Sequence, residues 1–178
     1  MKLSITIAIL FMLLWMPAVS SAQSSPFEGI SFILGEWVGS GSGFGNEKSS
    51  IESSFQLVMN GSYIKVRNES EFEPTAEKPE GETHIDEGFI SYNKHRNTIV
   101  FRQFNIEGYI NTYLLNDSLS SDKKLVFLTE DIENFVPGGS ARWTINKIDA
   151  DQIETIFDVS FPGREYTCFG TNQLRRKE

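Results

Sequence analysis

Leu34-Gly35-Glu36-Trp37-Val38-Gly39-Ser40-Gly41-Ser42-Gly43-Phe44-Gly45 decides how the rest of the chain is read. At a period of two, Gly35, Trp37, Gly39, Gly41, Gly43 and Gly45 fall on one face. Leu34, Glu36, Val38, Ser40, Ser42 and Phe44 fall on the other. Successive side chains of a strand point to opposite faces, so the first face carries a single indole on an otherwise bare surface. Glycines inside a strand weaken it and belong where a bulge forms, a barrel corner bends or another group approaches the backbone. The stretch is expected to open a closed β-barrel.

Upstream, Pro26 to Ile33 is short and apolar at Phe27, Ile30, Phe32 and Ile33. It reads as one helical turn closing the end of a barrel, or as a packed lead-in. Residues 1–22 read as a secretory signal. Lys2 supplies a positive start, Ile5 to Trp15 an apolar run, and Ser20-Ser21-Ala22 small residues before a cut at Gln23. The apolar run is shorter than the roughly 18–20 residues of a spanning helix, so no membrane insertion of the mature chain is expected. The protein is expected to be exported, periplasmic or extracellular, with one domain over residues 23–178.

Downstream, Ile51 to Val58 and Tyr63 to Arg67 flank Asn60-Gly61. That dipeptide between strand-like runs is a hairpin signal, because the turn positions want positive φ. Glu71 to Glu82 is acidic, holds Pro74 and Pro79, and reads as an exposed loop. Strand patterns then recur at Ile85 to Tyr92, Thr98 to Phe104, Tyr109 to Asn116, Lys123 to Glu130, Ala141 to Ile148, Gln152 to Phe161 and Glu165 to Arg176. Turn-like separators such as Pro137-Gly138-Gly139 and Pro162-Gly163 divide them. The result is an all-β chain of about ten strands. A single closed up-and-down antiparallel barrel removes the edges of such a meander, and a two-sheet sandwich is its structural rival.

Composition narrows the partners. Without Lys2, fifteen basic residues stand against twenty-four acidic ones, a net charge near −9. Nucleic acid and anionic membrane surfaces are disfavoured. Cys168 is the only cysteine, so no internal disulfide forms, and its strand-like setting predicts a buried, inert thiol.

Several kinds of chemistry are excluded by spacing. Glycines 39, 41, 43 and 45 never give Gly-x-Gly-x-x-Gly, and Glu47 before Lys48-Ser49 stands where a phosphate loop needs glycine. Gly39-Ser40-Gly41-Ser42-Gly43 lacks the central serine of a nucleophile elbow. Two histidines and one cysteine give no metal-ligand pattern, and no catalytic group is assigned.

Gly35-Glu36-Trp37-Val38-Gly39-Ser40-Gly41-Ser42-Gly43 resembles the Gly-x-Trp-x-Gly-x-Gly strand of nitrobindin-like barrels. It is similar more loosely to the Gly-x-Trp strand of lipocalins, within the wider calycin group that includes fatty-acid-binding proteins. Gln173-Leu174-Arg175-Arg176 resembles the basic end of that group's last strand. The resemblance implies that Arg175 or Arg176 stacks on Trp37 and closes the barrel floor, a cation–π contact of about 0.5–2 kcal/mol. It also implies haem held by a late-chain histidine. Here the sequence departs, since Glu165 to Glu178 contains no histidine, and Tyr166 or Cys168 is the only substitute ligand type nearby. No cofactor is therefore predicted.

What remains is a barrel interior with a few polar groups. Arg102 shares a face with Val100 and Phe104, Gln103 lies on the Phe101 face, and Tyr109, Asn111 and Tyr113 share another. Arg142 and Trp143 face opposite ways. Arg102, Tyr113, Arg142 and Trp143 are the candidate ligand-binding residues. An inward Arg102 or Arg142 would suit a carboxylate, while the alternative is that both snorkel outward and the aromatics fill the core. The expected function is non-enzymatic binding of a small hydrophobic or amphipathic molecule inside the barrel. A haem protein acting on reactive nitrogen species and a packed interaction module are the other readings.

Overall fold

Ten antiparallel strands follow one another in space in the order they occur in the chain, and the first pairs with the last. The computed structural model describes residues 25–43, 47–76 and 78–178; the signal segment at 1–22 lies outside them. The strands are β1 (Gly35–Gly43), β2 (Glu47–Val58), β3 (Tyr63–Phe72), β4 (Glu82–Asn93) and β5 (Thr98–Asn105). They continue as β6 (Ile110–Leu115), β7 (Lys124–Glu133), β8 (Ser140–Lys147), β9 (Gln152–Ser160) and β10 (Thr167–Arg176). One 3-10 turn, Glu28–Ile33, precedes them. The fold is the expected all-β closed antiparallel barrel with a short N-terminal helical turn, not a sandwich. Both edges of β1 are satisfied. Trp37 through Gly43 pair with Arg176 through Gly170 on one side, and Gly35 through Gly43 pair with Phe55 through Glu47 on the other.

Two strands are longer than the sequence suggests. β2 starts at Glu47 instead of Ile51, and β3 runs on through Asn68-Glu69-Ser70-Glu71-Phe72. These residues have poor strand propensity, yet the β2–β3 ladder continues without interruption from Val58–Tyr63 to Ser49–Phe72. The Asn60-Gly61 hairpin forms, with a left-handed turn that starts one residue early: φ is 51° at Met59, 56° at Asn60 and 77° at Gly61.

Alternation sorts the side chains. Trp37, Phe55, Ile64, Ile90, Phe101, Phe127 and Ile145 point inward and are fully buried. Phe27, Ile30 and Ile33 of the N-terminal turn plug one end of the same core. Trp37 donates its indole N–H to the Ile33 carbonyl at 2.8 Å, which ties plug to barrel. The Arg176 guanidinium lies over the Trp37 ring, 4.3 Å from its centroid. It also donates to the carbonyls of Leu34 (2.7 Å) and Ala150 (3.3 Å) and sits 3.4 Å from the Asp151 carboxylate. Of the two arginines the resemblance offers, Arg176 closes the floor. Arg175, opposite Val38, is exposed on the outer face.

Curvature explains two glycines. A Cβ on Gly39 would stand 2.0 Å from the Gln173 carbonyl oxygen, and one on Gly88 would stand 2.0 Å from that of Arg102. The neighbouring backbone occupies the place of a side chain there, as expected at tight barrel bends.

Cys168 corrects an expectation. Its thiol is exposed, not buried. Leu174, Asn172 and Gly170 face inward at a period of two, which would carry Cys168 inward as well. A bulge between Cys168 and Gly170 adds one residue, so Cys168 pairs with the outward-facing Asp158.

Candidate functional site

The inner face changes chemistry along the barrel axis. Near the plug it is apolar apart from Ser53 and Arg176, the cross-strand neighbours of Trp37, and midway four rings meet across the interior. Trp143 lies 6.2 Å from Phe55, 5.2 Å from Phe101 and 5.9 Å from Phe127, centroid to centroid. Tyr113 stacks on Phe101 at 5.6 Å. This aromatic layer fills the middle and leaves no room for a ligand at the plugged end. Toward the other end, inward positions on one side become Asn68 and Ser70 on β3, His84 and Asp86 on β4, Gln103 on β5 and Asn111 on β6. The facing wall keeps Ile132, Ala141, Phe157 and Val159 on β7 to β9.

The polar-lined part of the interior is called the chamber. Ser49, Ser53, Gln103 and Thr155 are more than nine-tenths buried, and none forms a side-chain hydrogen bond among the described residues. Yet no buried polar side-chain atom is both sealed and unpartnered. Buried polar groups find partners in protein or solvent, so these four open onto interior space that solvent reaches. Side chains close over Gly41, since a Cβ there would lie 2.4 Å from the Asn172 amide oxygen and 2.9 Å from both the Ser49 hydroxyl and Ile51 Cδ1. At the rim, Tyr109, Phe135, Phe161 and Phe169 form a chain of ring contacts at 5.6, 5.6 and 6.2 Å.

Asp86 is the carboxylate of the chamber that stands apart from its ion pairs. Its neighbours are engaged with one another: His84 reaches Glu82 at 2.8 Å through Nε2 and Glu107 through Nδ1. Asp86 has no ion-pair partner among the described residues. Burial pushes its carboxyl up to about 7; repulsion from Glu107 adds to the shift and His84 opposes it. Tyr113 is raised from its ordinary value by burial and then by the nearby Asp86 charge. Asn111 donates to the Tyr113 hydroxyl oxygen at 3.0 Å, which leaves the phenol O–H to donate elsewhere.

Asp86 makes stability depend on pH in a stated direction. Its carboxyl titrates near 3.8 when unfolded and near 7 when folded. Between those values the folded chain holds a proton that the unfolded chain has released, so stability falls as pH rises through the window. At 1.36 kcal/mol per unit the full shift is worth about 4 kcal/mol, reduced to about 2 kcal/mol by the carboxyl's partial contact with solvent. Asp86→Asn is expected to remove this slope. Urea unfolding at pH 4.5 and 7.5 checks it, and equal slopes in variant and parent would refute it.

The sequence-derived candidates divide into two pairs. Tyr113 and Trp143 are inward, in the aromatic layer under the chamber. Arg102 is exposed on the outer face of β5. Arg142 is outside as well, with Nε 2.9 Å from the Asp158 carboxylate and its guanidinium 4.7 Å over the Tyr166 ring. The outward alternative holds for both arginines, so neither offers a carboxylate clamp inside. Asp86, which the sequence reading does not single out, is the interior carboxylate that stands apart from the ion pairs. Its parity with Gly88, Ile90 and Tyr92 was available, but Ile85 and Phe89 give the opposite face equal apolar weight.

Haem does not fit the donors present. Cys168 lies on the outer surface, and the Tyr166 hydroxyl accepts from Ser140 at 3.1 Å beneath Arg142. His84 has carboxylates at both ring nitrogens, and His95 is exposed in the β4–β5 turn at the plugged end. No cluster of metal-ligating side chains occurs among the described residues. The acidic groove of about 390 Å³ bounded by Val38, Ser50, Glu52, Glu69 and Glu71 lies on the outside of β1 to β3.

No protein family matches the chain by sequence, and no curated protein does. Solved structures do. Rv2717c from M. tuberculosis superposes with a TM-score of 0.61 at 15% identity, over 87% of this chain and 99% of that one. EF1p2_mFAP2b bound to DFHBI follows at a TM-score of 0.45 and 9% identity, over 86% of this chain and 100% of that one. A redesigned β-barrel gives 0.42 and 12%, over 89% and 100%. The likeness to Rv2717c shows a shared barrel fold.

Proposed function

We propose that this chain is an exported, non-enzymatic binding protein whose chamber takes up a small amphipathic molecule. The observation that carries the reading is the set of deeply buried, hydrogen-bond-free polar groups, Ser49 and Ser53 on β2, Gln103 on β5 and Thr155 on β9, that share the interior with apolar Ile132, Ala141 and Phe157. A packed core has no use for such groups, because burying a polar group without a partner costs about 1–3 kcal/mol. A ligand with one polar and one apolar side satisfies both kinds of lining. The aromatic rim offers an apolar approach, and Trp143 in the layer below gives an intrinsic reporter.

Native mass spectrometry of protein purified without detergent is expected to show a bound small molecule. Ser49→Phe, which fills the chamber beside Gly41, is expected to lower its occupancy at least tenfold while far-ultraviolet circular dichroism stays unchanged. A parent that carries no bound molecule, and whose tryptophan fluorescence responds to no small amphiphile, would overturn the reading.

A further inference from the structure

We propose that the chamber selects cations: its ligand carries a protonated amine that pairs with Asp86 while its apolar part lies against Ile132 and Phe157. This rests on the binding role proposed above and specifies its chemistry. The first support is the sign of the charges. Arg67, Arg102 and Lys65 on the polar-side strands all lie on the outer face, opposite Glu87, Thr112 and Phe89. Among the described residues, the inward-facing groups around Asp86 are Asn68 and Ser70 from β3, Glu82 and His84 from its own strand, Gln103 and Asn105 from β5 and Tyr113 from β6. Glu107 stands at the loop above. His84 is the one base in that set and is held between Glu82 and Glu107, while Lys78 from the β3–β4 loop is paired with Glu82. An anionic ligand would meet carboxylates with no cation free to receive it.

The second support is Gln103. It is 8% exposed, faces inward beside Gly88, and forms no side-chain hydrogen bond. Gly88 has no side chain to separate Gln103 from Asp86, which lies diagonally across the β4–β5 ladder. Diagonal neighbours on one face stand about 7–8 Å apart, so both side chains reach one bound group. An ammonium has three donors; the Asp86 carboxylate and the Gln103 amide oxygen accept two. The partly desolvated carboxylate gains the counter-ion that the fold withholds.

Isothermal titration of the full chain with three probes of similar size tests this: 2-phenylethylammonium, 2-phenylethanol and phenylacetate. At pH 8 the ammonium is expected to bind at least tenfold more tightly than the alcohol, and phenylacetate not to bind. At pH 5.5, where Asp86 is protonated, that preference is expected to shrink at least threefold while the alcohol's affinity holds. Asp86→Asn is expected to abolish the preference and to leave alcohol binding intact. Equal affinities for ammonium and alcohol, or a preference that survives Asp86→Asn, would overturn cation selection and leave chamber binding standing. If no probe binds, both fall.

Discussion

Trp37→Ala is expected to lose about 4 kcal/mol of unfolding free energy, the cost of truncating a fully buried tryptophan. The indole is 1% exposed, and three elements depend on it. Its N–H holds the Ile33 carbonyl of the plug, its face carries Arg176 of the last strand, and its edge packs on the apolar core. Arg176→Met separates these roles. It removes the stacked charge and the donors to Leu34 and Ala150, and keeps much of the side-chain volume. A double-mutant cycle is expected to give a coupling of about 1 kcal/mol between the two positions. Chemical denaturation followed by circular dichroism supplies all four corners. A Trp37→Ala cost below about 1 kcal/mol would mean the floor is held by something else.

Gly88→Ala comes next, at about 3 kcal/mol, the upper part of the usual range for overpacking. The added methyl would stand 2.0 Å from the Arg102 carbonyl oxygen and 2.9 Å from Gln103 Cα, and backbone cannot rotate aside as a side chain does. β4 and β5 would have to separate at the point where Gly88 sits between Asp86 and Gln103. The substitution is therefore expected to weaken ligand binding along with stability. Gly29→Ala is the control, since a Cβ there meets nothing within 4 Å. A melting temperature for Gly88→Ala equal to that of the control would contradict the close approach.

Much of this architecture is legible in the sequence, because barrels write themselves at a period of two. The indole and glycines of β1, the Asn60-Gly61 turn and the succession of short strands all follow from alternation and turn chemistry. What escapes is what polar residues do inside a barrel. Asn68-Glu69-Ser70 falls beyond the expected strand end at Arg67, because strand propensity is a record of apolar packing. Here the inward positions, Asn68 and Ser70, line a chamber that solvent reaches. Asp86 hides for the same reason, in a strand with apolar residues on both faces. Cys168 is misplaced by a single inserted residue, since a bulge reverses the facing of every residue beyond it. The two arginines show the converse. Their alternation was plain, and only the packing of Phe101 and Trp143 decides which face is inside.

The β1–β10 seam sets the order in which the molecule can form. Arg176 bonds to Leu34 across 142 residues of chain, so the last contacts to be made are among the most distant. Closing loops of that length late favours slow folding, and until then β1 and β10 wait with bare edges. β1 waits longest, from the first strand synthesised to the last. It is also the strand poorest in side chains, with Ser40, Gly41, Ser42 and Gly43 along its far half. Segments that assemble into fibrils are rich in β-branched and aromatic residues and poor in glycine. The edge left unguarded longest is thus the one least able to recruit a second molecule.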